Sequence, residues 1–235
     1  MPSGQEFGTL HLTPSIPDGA SFVTEWTDCT VNIVLVAVAL ILFLIATPNV
    51  IRIFQDLQLC ITKPHGPAAF EHSVHKSRSR NFIAVLFIPA AAVLIDRLNL
   101  YRPSFLAPIP PEFSVAAMAG ILIFFRIVHN LFFSVTRNLR LRSDDAAALK
   151  NIELSVFVFL ATFLMPVTTL LLVAGVDESF LRSAIYAILG IGFFISIVRS
   201  GQILAGQYGF FTTLLLLLAI EILPASIMIV PAVLW

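Results

Sequence analysis

The sequence is poor in charge. Asp, Glu, Lys and Arg make up 12% of its 235 residues, and a soluble domain of this size carries roughly twice that share. The 14 basic and 14 acidic residues cancel, so there is no overall positive field of the kind that gathers a protein onto nucleic acid, and no nucleic-acid partner is expected. Cysteine is scarce. Cys29 and Cys60 are the only two, and the topology derived below puts them on opposite sides of a membrane, so they are not expected to pair. The first thirty residues contain no Lys or Arg, and a secretory signal needs a basic start before its apolar stretch. No Gly-x-Ser-x-Gly, no phosphate-binding P-loop and no Gly-x-Gly-x-x-Gly fingerprint occurs. With those motifs missing, no catalytic set and no cofactor are expected.

What is abundant is apolar surface: 58% of residues are hydrophobic and the mean hydropathy is +0.93. Residues 1–29 form a polar, acidic tail with Pro2, Pro14 and Pro17, and Trp26 stands just before the first apolar run, where an interfacial aromatic anchor sits. Six apolar stretches follow at about 31–54, 82–95, 113–135, 152–175, 180–198 and 210–230, each read as a membrane-crossing helix. The expected fold is an all-α membrane domain over 30–235, a bundle of six transmembrane helices. Prolines 48, 89, 166 and 224 fall inside these stretches.

Six crossings return both termini to one side, and the basic residues say which. With the N-terminus outside, the inner segments hold Arg52, Lys63, Lys76, Arg78, Arg80, Arg137, Arg140, Arg142, Lys150 and Arg199. The outer segments hold only Arg97, Arg102 and Arg182, and Arg126 lies within a span. Inner loops collect Lys and Arg, so both termini are expected outside.

The few polar residues at membrane depth are the candidates for chemistry. A carboxylate near the middle of a membrane helix costs about 2.5 to 3.5 kcal/mol on insertion scales, and Glu221 occupies such a place in the last stretch. At 1.5 Å per residue it lies about 18 Å from the start of its helix, and Arg126 lies about 15 Å from the end of the third span. The matching depths predict that Arg126 and Glu221 pair across a helix interface. That pair reads either as a docking device or as part of a proton or ion path. His129 and Asn130 follow Arg126 at i+3 and i+4 and share its face. Pro224 cannot donate to the carbonyl of Ile220, which leaves a freed backbone acceptor beside Glu221.

Three further groups stand out. Arg199, Gln202 and Tyr208 gather at the inner rim, either anchoring the helix or forming a contact site for an anionic lipid or a partner. Gly190, Gly192, Ser196 and Ser200 give the fifth span small residues for close helix packing. Glu71, His72 and His75 spell Glu-His-x-x-His, with His65 and Cys60 upstream; this is not the His-Glu-x-x-His order of a zinc hydrolase and supplies too few ligands for a zinc site, so no metal is expected.

The late Arg199, Tyr208 and Phe210, and above all the run Ala219-Ile220-Glu221-Ile222-Leu223-Pro224, resemble a family of small polytopic inner-membrane proteins from Bacteroidota whose activity is unassigned. The likeness covers residues 199–235 closely and the rest of the chain by span pattern. Family members carry a Tyr-Leu-Cys-type stretch ahead of the acid, where this chain has Leu216 to Leu218. The resemblance implies a multi-pass protein of a bacterial inner membrane and brings no mechanism with it. Three function classes stay open from sequence. The first is a non-enzymatic accessory component held by a membrane-protein partner or a second copy. The second is a small proton- or ion-coupled transporter or channel subunit. The third is an enzyme acting on a lipid-linked phosphate at the inner rim.

Overall fold

Backbone polar groups at membrane depth must be satisfied within the chain, and a continuous apolar run meets that demand most simply as a helix. The computed structural model describes residue 26 and residues 29–63, 73–139 and 143–234, without the side chains of 137–139, 143–145 and 232–234. Among the described residues there are helices and no strands. The helices are α1 (Thr30–Thr62), α2 (Val74–Arg97), α3 (Pro111–Leu139), α4 (Ser143–Val173), α5 (Glu178–Ala205), α6 (Phe210–Leu217) and α7 (Leu223–Leu234). A short 3-10 turn (Ser104–Leu106) precedes α3, and a π-helical turn (Leu218–Ile222) joins α6 to α7. Among the described residues six helical segments, the last comprising α6, the π turn and α7, are long and apolar enough to cross a membrane. The described residues therefore form a helical, multi-pass membrane protein.

The helices are longer than the apolar stretches that announced them. α1 continues eight residues past the expected end, α2 starts eight residues before Phe82, and α4 starts nine residues before Ile152. Polar residues read as loop thus lie on helices; Arg80 and Asn151 are buried there, and His75 and Arg78 stay exposed. The tail, apart from Trp26 and Cys29, lies outside the described residues, as do His65, Glu71, His72, Arg140 and Arg142.

Packing follows helical periodicity. Ala46, Val50, Ile53 and Leu57 of α1 and Leu154, Val158, Ala161 and Met165 of α4 each recur at i, i+4, i+7, i+11, and they close on Ile83, Ala84 and Phe87 of α2. Phe43 and Phe87 stack at 5.4 Å in the same layer. A second cluster joins Ala146 and Leu149 of α4 to Leu204 of α5, Leu216 of α6 and Ile220. Large apolar side chains such as Leu40, Leu44, Phe124 and Leu215 point outward, as the lipid-facing side of a bundle requires.

Helix ends are tied by side chains. Ser73 caps α2, accepting from the Lys76 N–H at 3.4 Å. Asp177 caps α5, accepting from the Phe180 N–H at 3.1 Å and from the Ser179 hydroxyl. The Ser179 hydroxyl, followed by the Phe180 N–H, holds the Asp177 carboxyl below the usual carboxylate range. α4 closes on Gly175, whose φ of 75° is open to glycine at little cost. Cys29 and Cys60 are both buried free thiols at opposite ends of α1. Trp26 lies at the far end of the bundle from Cys60; its indole donates to Asp96 at 2.7 Å and Ser114 donates to the same oxygen at 2.7 Å. Tyr101 donates to the carbonyl of Met228 at 3.1 Å, and burial pushes its phenol above the ordinary value of 10.

Arg80 is the largest buried side chain, with 1% of its surface exposed. Its guanidinium donates to Asn81 Oδ1 at 3.1 Å, to the Asn151 carbonyl at 3.4 Å and to Ser77 Oγ at 3.5 Å. It fastens the start of α2 to α4. Arg80→Ala should destabilise the protein by about 3 kcal/mol, through lost volume and stranded acceptors, and Arg80→Lys by less. Thermal unfolding in detergent reads both. Asp177→Ala should lower the melting temperature at neutral pH, by an amount that shrinks on acidification. A depressed carboxylate stabilises above its unfolded value and loses that contribution as pH falls through its folded one.

Candidate functional site

α3, α4, α5 and the π turn bring together the polar residues at membrane depth. The expected pairing of Arg126 with Glu221 is not what forms. Arg126 Nη1 bonds Glu153 Oε1 at 2.6 Å. Glu153 was missed in the sequence because it stands at the second position of the apolar run that begins at Ile152, where an acid reads as interfacial. With α4 starting at Ser143, Glu153 is ten residues into the helix and reaches Arg126 first. The interface itself is as expected, since α3 packs on the π turn and on α7; its counter-charge comes from a third helix.

His129, one turn from Arg126, is 6% exposed. Its Nδ1 lies 3.2 Å from Glu153 Oε2, close but without the alignment of a hydrogen bond. The imidazole also meets the backbone of Ile220. That is the carbonyl that Pro224 cannot serve, so the freed acceptor expected from the proline is met by a side chain of α3. The π turn has the same origin: the Leu223 N–H reaches back five residues to Leu218, and the next residue has no N–H to offer.

Glu221 sits on this turn and is 6% exposed. Ser200 of α5 donates to its Oε1 at 2.8 Å. Ser196, one turn earlier, faces the same carboxyl, yet its hydroxyl is buried without a hydrogen-bond partner. Glu153 is near enough to interact electrostatically with Glu221. No Lys or Arg forms an ion pair with Glu221 among the described residues. Small residues also let α5 lie close to α4. Gly192 is buried, and a Cβ there would run into the side chain of Leu160 on α4.

Asn130 is exposed and does not join the buried group. With Asn81, Lys150, Arg126 and Glu153 it lines a cavity of about 390 Å³ between α2, α3 and α4. Arg126 and Glu153 thus border both the buried group and the cavity.

The rim trio is not an open cationic site. Arg199 Nε donates to the Ile61 carbonyl at 2.8 Å, Nη2 to the Thr62 carbonyl at 2.5 Å and Nη1 to Gln202 Oε1 at 2.8 Å. Its donors satisfy the last carbonyls of α1, which an α-helix leaves unpaired. Tyr208 packs against the cluster of Leu204 and Leu216. His75 is exposed on α2, and among the described residues no three His, Cys, Asp or Glu side chains are grouped to hold a metal.

A double-mutant cycle separates the observed pairing from the expected one. Arg126→Gln and Glu153→Gln should show a coupling of about 1 kcal/mol; Arg126→Gln and Glu221→Gln, linked only through Glu153, should couple by less. Unfolding free energies in detergent measure both cycles.

Comparison with protein-family models, with curated proteins and with solved structures gives no match.

Proposed function

We propose that this is a proton- or cation-coupled carrier subunit in which Glu221 is the group that takes up and releases the ion. One observation carries this reading: Glu221 is buried at membrane depth with hydroxyls around it and no basic partner among the described residues. A structural carboxylate at that depth calls for a fixed counter-charge. The chain owns a suitable arginine close by, but Arg126 is taken by Glu153. An exchangeable ion then remains as the way to offset the charge of Glu221.

The surroundings suit exchange. Broken or distorted helices expose backbone acceptors beside carboxylates in transporters, and π turns are frequent at functional sites. Here the π turn, the Ile220 carbonyl and the unbonded Ser196 hydroxyl adjoin Glu221. His129 stands between Ile220 and Glu153, and Glu153 borders the open cavity. These groups form a file of polar atoms from Glu221 to one face of the bundle. For orientation we propose both termini outside, supported by the asymmetry of Lys and Arg. We place the protein in a bacterial inner membrane on the likeness of its last helix to the Bacteroidota family. A second reading keeps one observation in its favour. The Ser200–Glu221 bond joins α5 to the last helix, as a docking contact in an accessory component would.

Two measurements test this. In proteoliposomes under an imposed pH gradient, wild type should collapse the gradient and Glu221→Gln should do so at least tenfold more slowly while staying folded. A wild-type rate equal to protein-free vesicles excludes the carrier reading; loss of folding in Glu221→Gln favours docking. For topology, a C-terminal alkaline phosphatase fusion should be active and a C-terminal green fluorescent protein fusion dark.

A further inference from the structure

The cavity between α2, α3 and α4 is graded along the bundle. α2 and α4 run one way and α3 the other, yet their lining residues sort alike. At one end are Asn81 of α2, Asn130 of α3 and Lys150 of α4. About one turn on come Arg126 and Glu153. At the other end are Ile88 of α2, Leu122 of α3 and Phe157 of α4, with Phe125 and Val85 on the walls. The distance from polar to apolar end is the same on each helix. Asn81 to Ile88 and Lys150 to Phe157 are seven residues, and Asn130 to Leu122 is eight, about 10 to 12 Å in each case.

The charge at the polar end is uneven. Arg126 and Glu153 offset one another. Lys150 is exposed, forms no ion pair among the described residues and points its helix position to the same mouth. Asn81 and Asn130 are exposed beside it, with amide donors to offer. The polar mouth is thus cationic by one charge and rich in N–H donors, and the trough leading from it is lined by aliphatic and aromatic carbon. Among occupants of a membrane-facing cleft, this matches a molecule with an anionic, acceptor-rich head and a hydrocarbon tail. A lysine and two amides form a suitable cradle for phosphate oxygens, and Phe125, Phe157, Leu122 and Ile88 for an acyl chain.

We propose that this cleft is a binding site for an anionic phospholipid, its phosphate held by Lys150, Asn130 and Asn81 and one acyl chain lying along the α2–α4 trough toward Ile88. The cleft is also where the polar file from Glu221 opens, at Glu153, but its test does not depend on ion carriage. It lies in the membrane leaflet next to the α1–α2 and α3–α4 connections.

Native mass spectrometry of the purified full-length protein, titrated with dioleoyl phosphatidylglycerol or dioleoyl phosphatidylcholine, tests the site. One lysine contact of this kind is about a fivefold effect on binding, so wild type should retain phosphatidylglycerol about fivefold more tightly. Lys150→Gln, an exposed change, should bring the two lipids level. Val85→Trp, which fills the trough from an exposed wall position, should weaken both. Arg78→Gln, exposed on α2 outside the cavity, should change neither. Equal retention of the two lipids by wild type overturns the proposal, as does an unchanged preference in Lys150→Gln. Loss of preference in Arg78→Gln would place the effect on the general basic surface and reject the cleft. Displacement of phosphatidylglycerol by millimolar inorganic phosphate, with no sensitivity to Val85→Trp, would make the site one for a free anion and reject the lipid.

Discussion

The ion pair between Arg126 and Glu153 sets the terms for the polar groups around the π turn. Its Nη1–Oε1 separation is 2.6 Å, and it joins α3 to α4 at a depth where an isolated charge of either sign is expensive. Because each partner satisfies the other, His129 is drawn toward Glu153, and Glu221 is left with serine hydroxyls alone. Removing either ion would leave the other unpaired at the edge of the cleft. The pair also divides two regions. On one side lies the enclosed group around the π turn; on the other lies the open cleft.

The fold was largely legible because membrane helices write themselves as long apolar runs, and six of them stand in the chain. Their ends were not legible. Hydropathy falls where polar residues begin, but a helix stops only where its hydrogen bonds stop, and here several continue by two turns or more. Arg80 fell in such an extension, and Glu153 stood one residue inside the expected start of its span. Arg80 reads as loop by its charge and is in fact buried between α2 and α4, and Glu153 joins α4 to α3. A carboxylate nine or ten residues after a run such as Ser143-Asp144-Asp145, with helix-forming alanines between, was a signal that α4 begins early. The depth argument for Arg126 and Glu221 located the right interface and chose the wrong partner, since depth alone ranks no competitor on a third helix. Pro224 was informative from the start. The loss of one N–H foretold a free carbonyl at Ile220, although nothing in the sequence said that the distortion would be a π turn or that His129 would meet it.

The two halves of the molecule differ in how they hold together. α1, α2 and α4 share an apolar core with interlocking stripes and stacked rings. α5 and the last helix meet through the apolar cluster of Leu204, Leu216 and Ile220, through Gly201 beside Leu217, and through the bond from Ser200 to Glu221. Small residues let the two backbones approach closely, and the buried acid adds a hydrogen bond that the apolar core lacks. Motion that alters the exposure of Glu221 would have to part it from Ser200 of α5.

The cap that Arg199 places on α1 has a consequence for how the protein is made. The acceptors are the carbonyls of Ile61 and Thr62, and the donor arrives 138 and 137 positions later in the chain. When the first helix leaves the ribosome and enters the membrane, its last turn is finished by water. Only after four more segments have been inserted can the guanidinium replace that water. Completion of the first helix is thereby a late step of biogenesis, and truncated chains that end before the fifth segment carry an unsealed helix terminus that a quality-control protease could recognise.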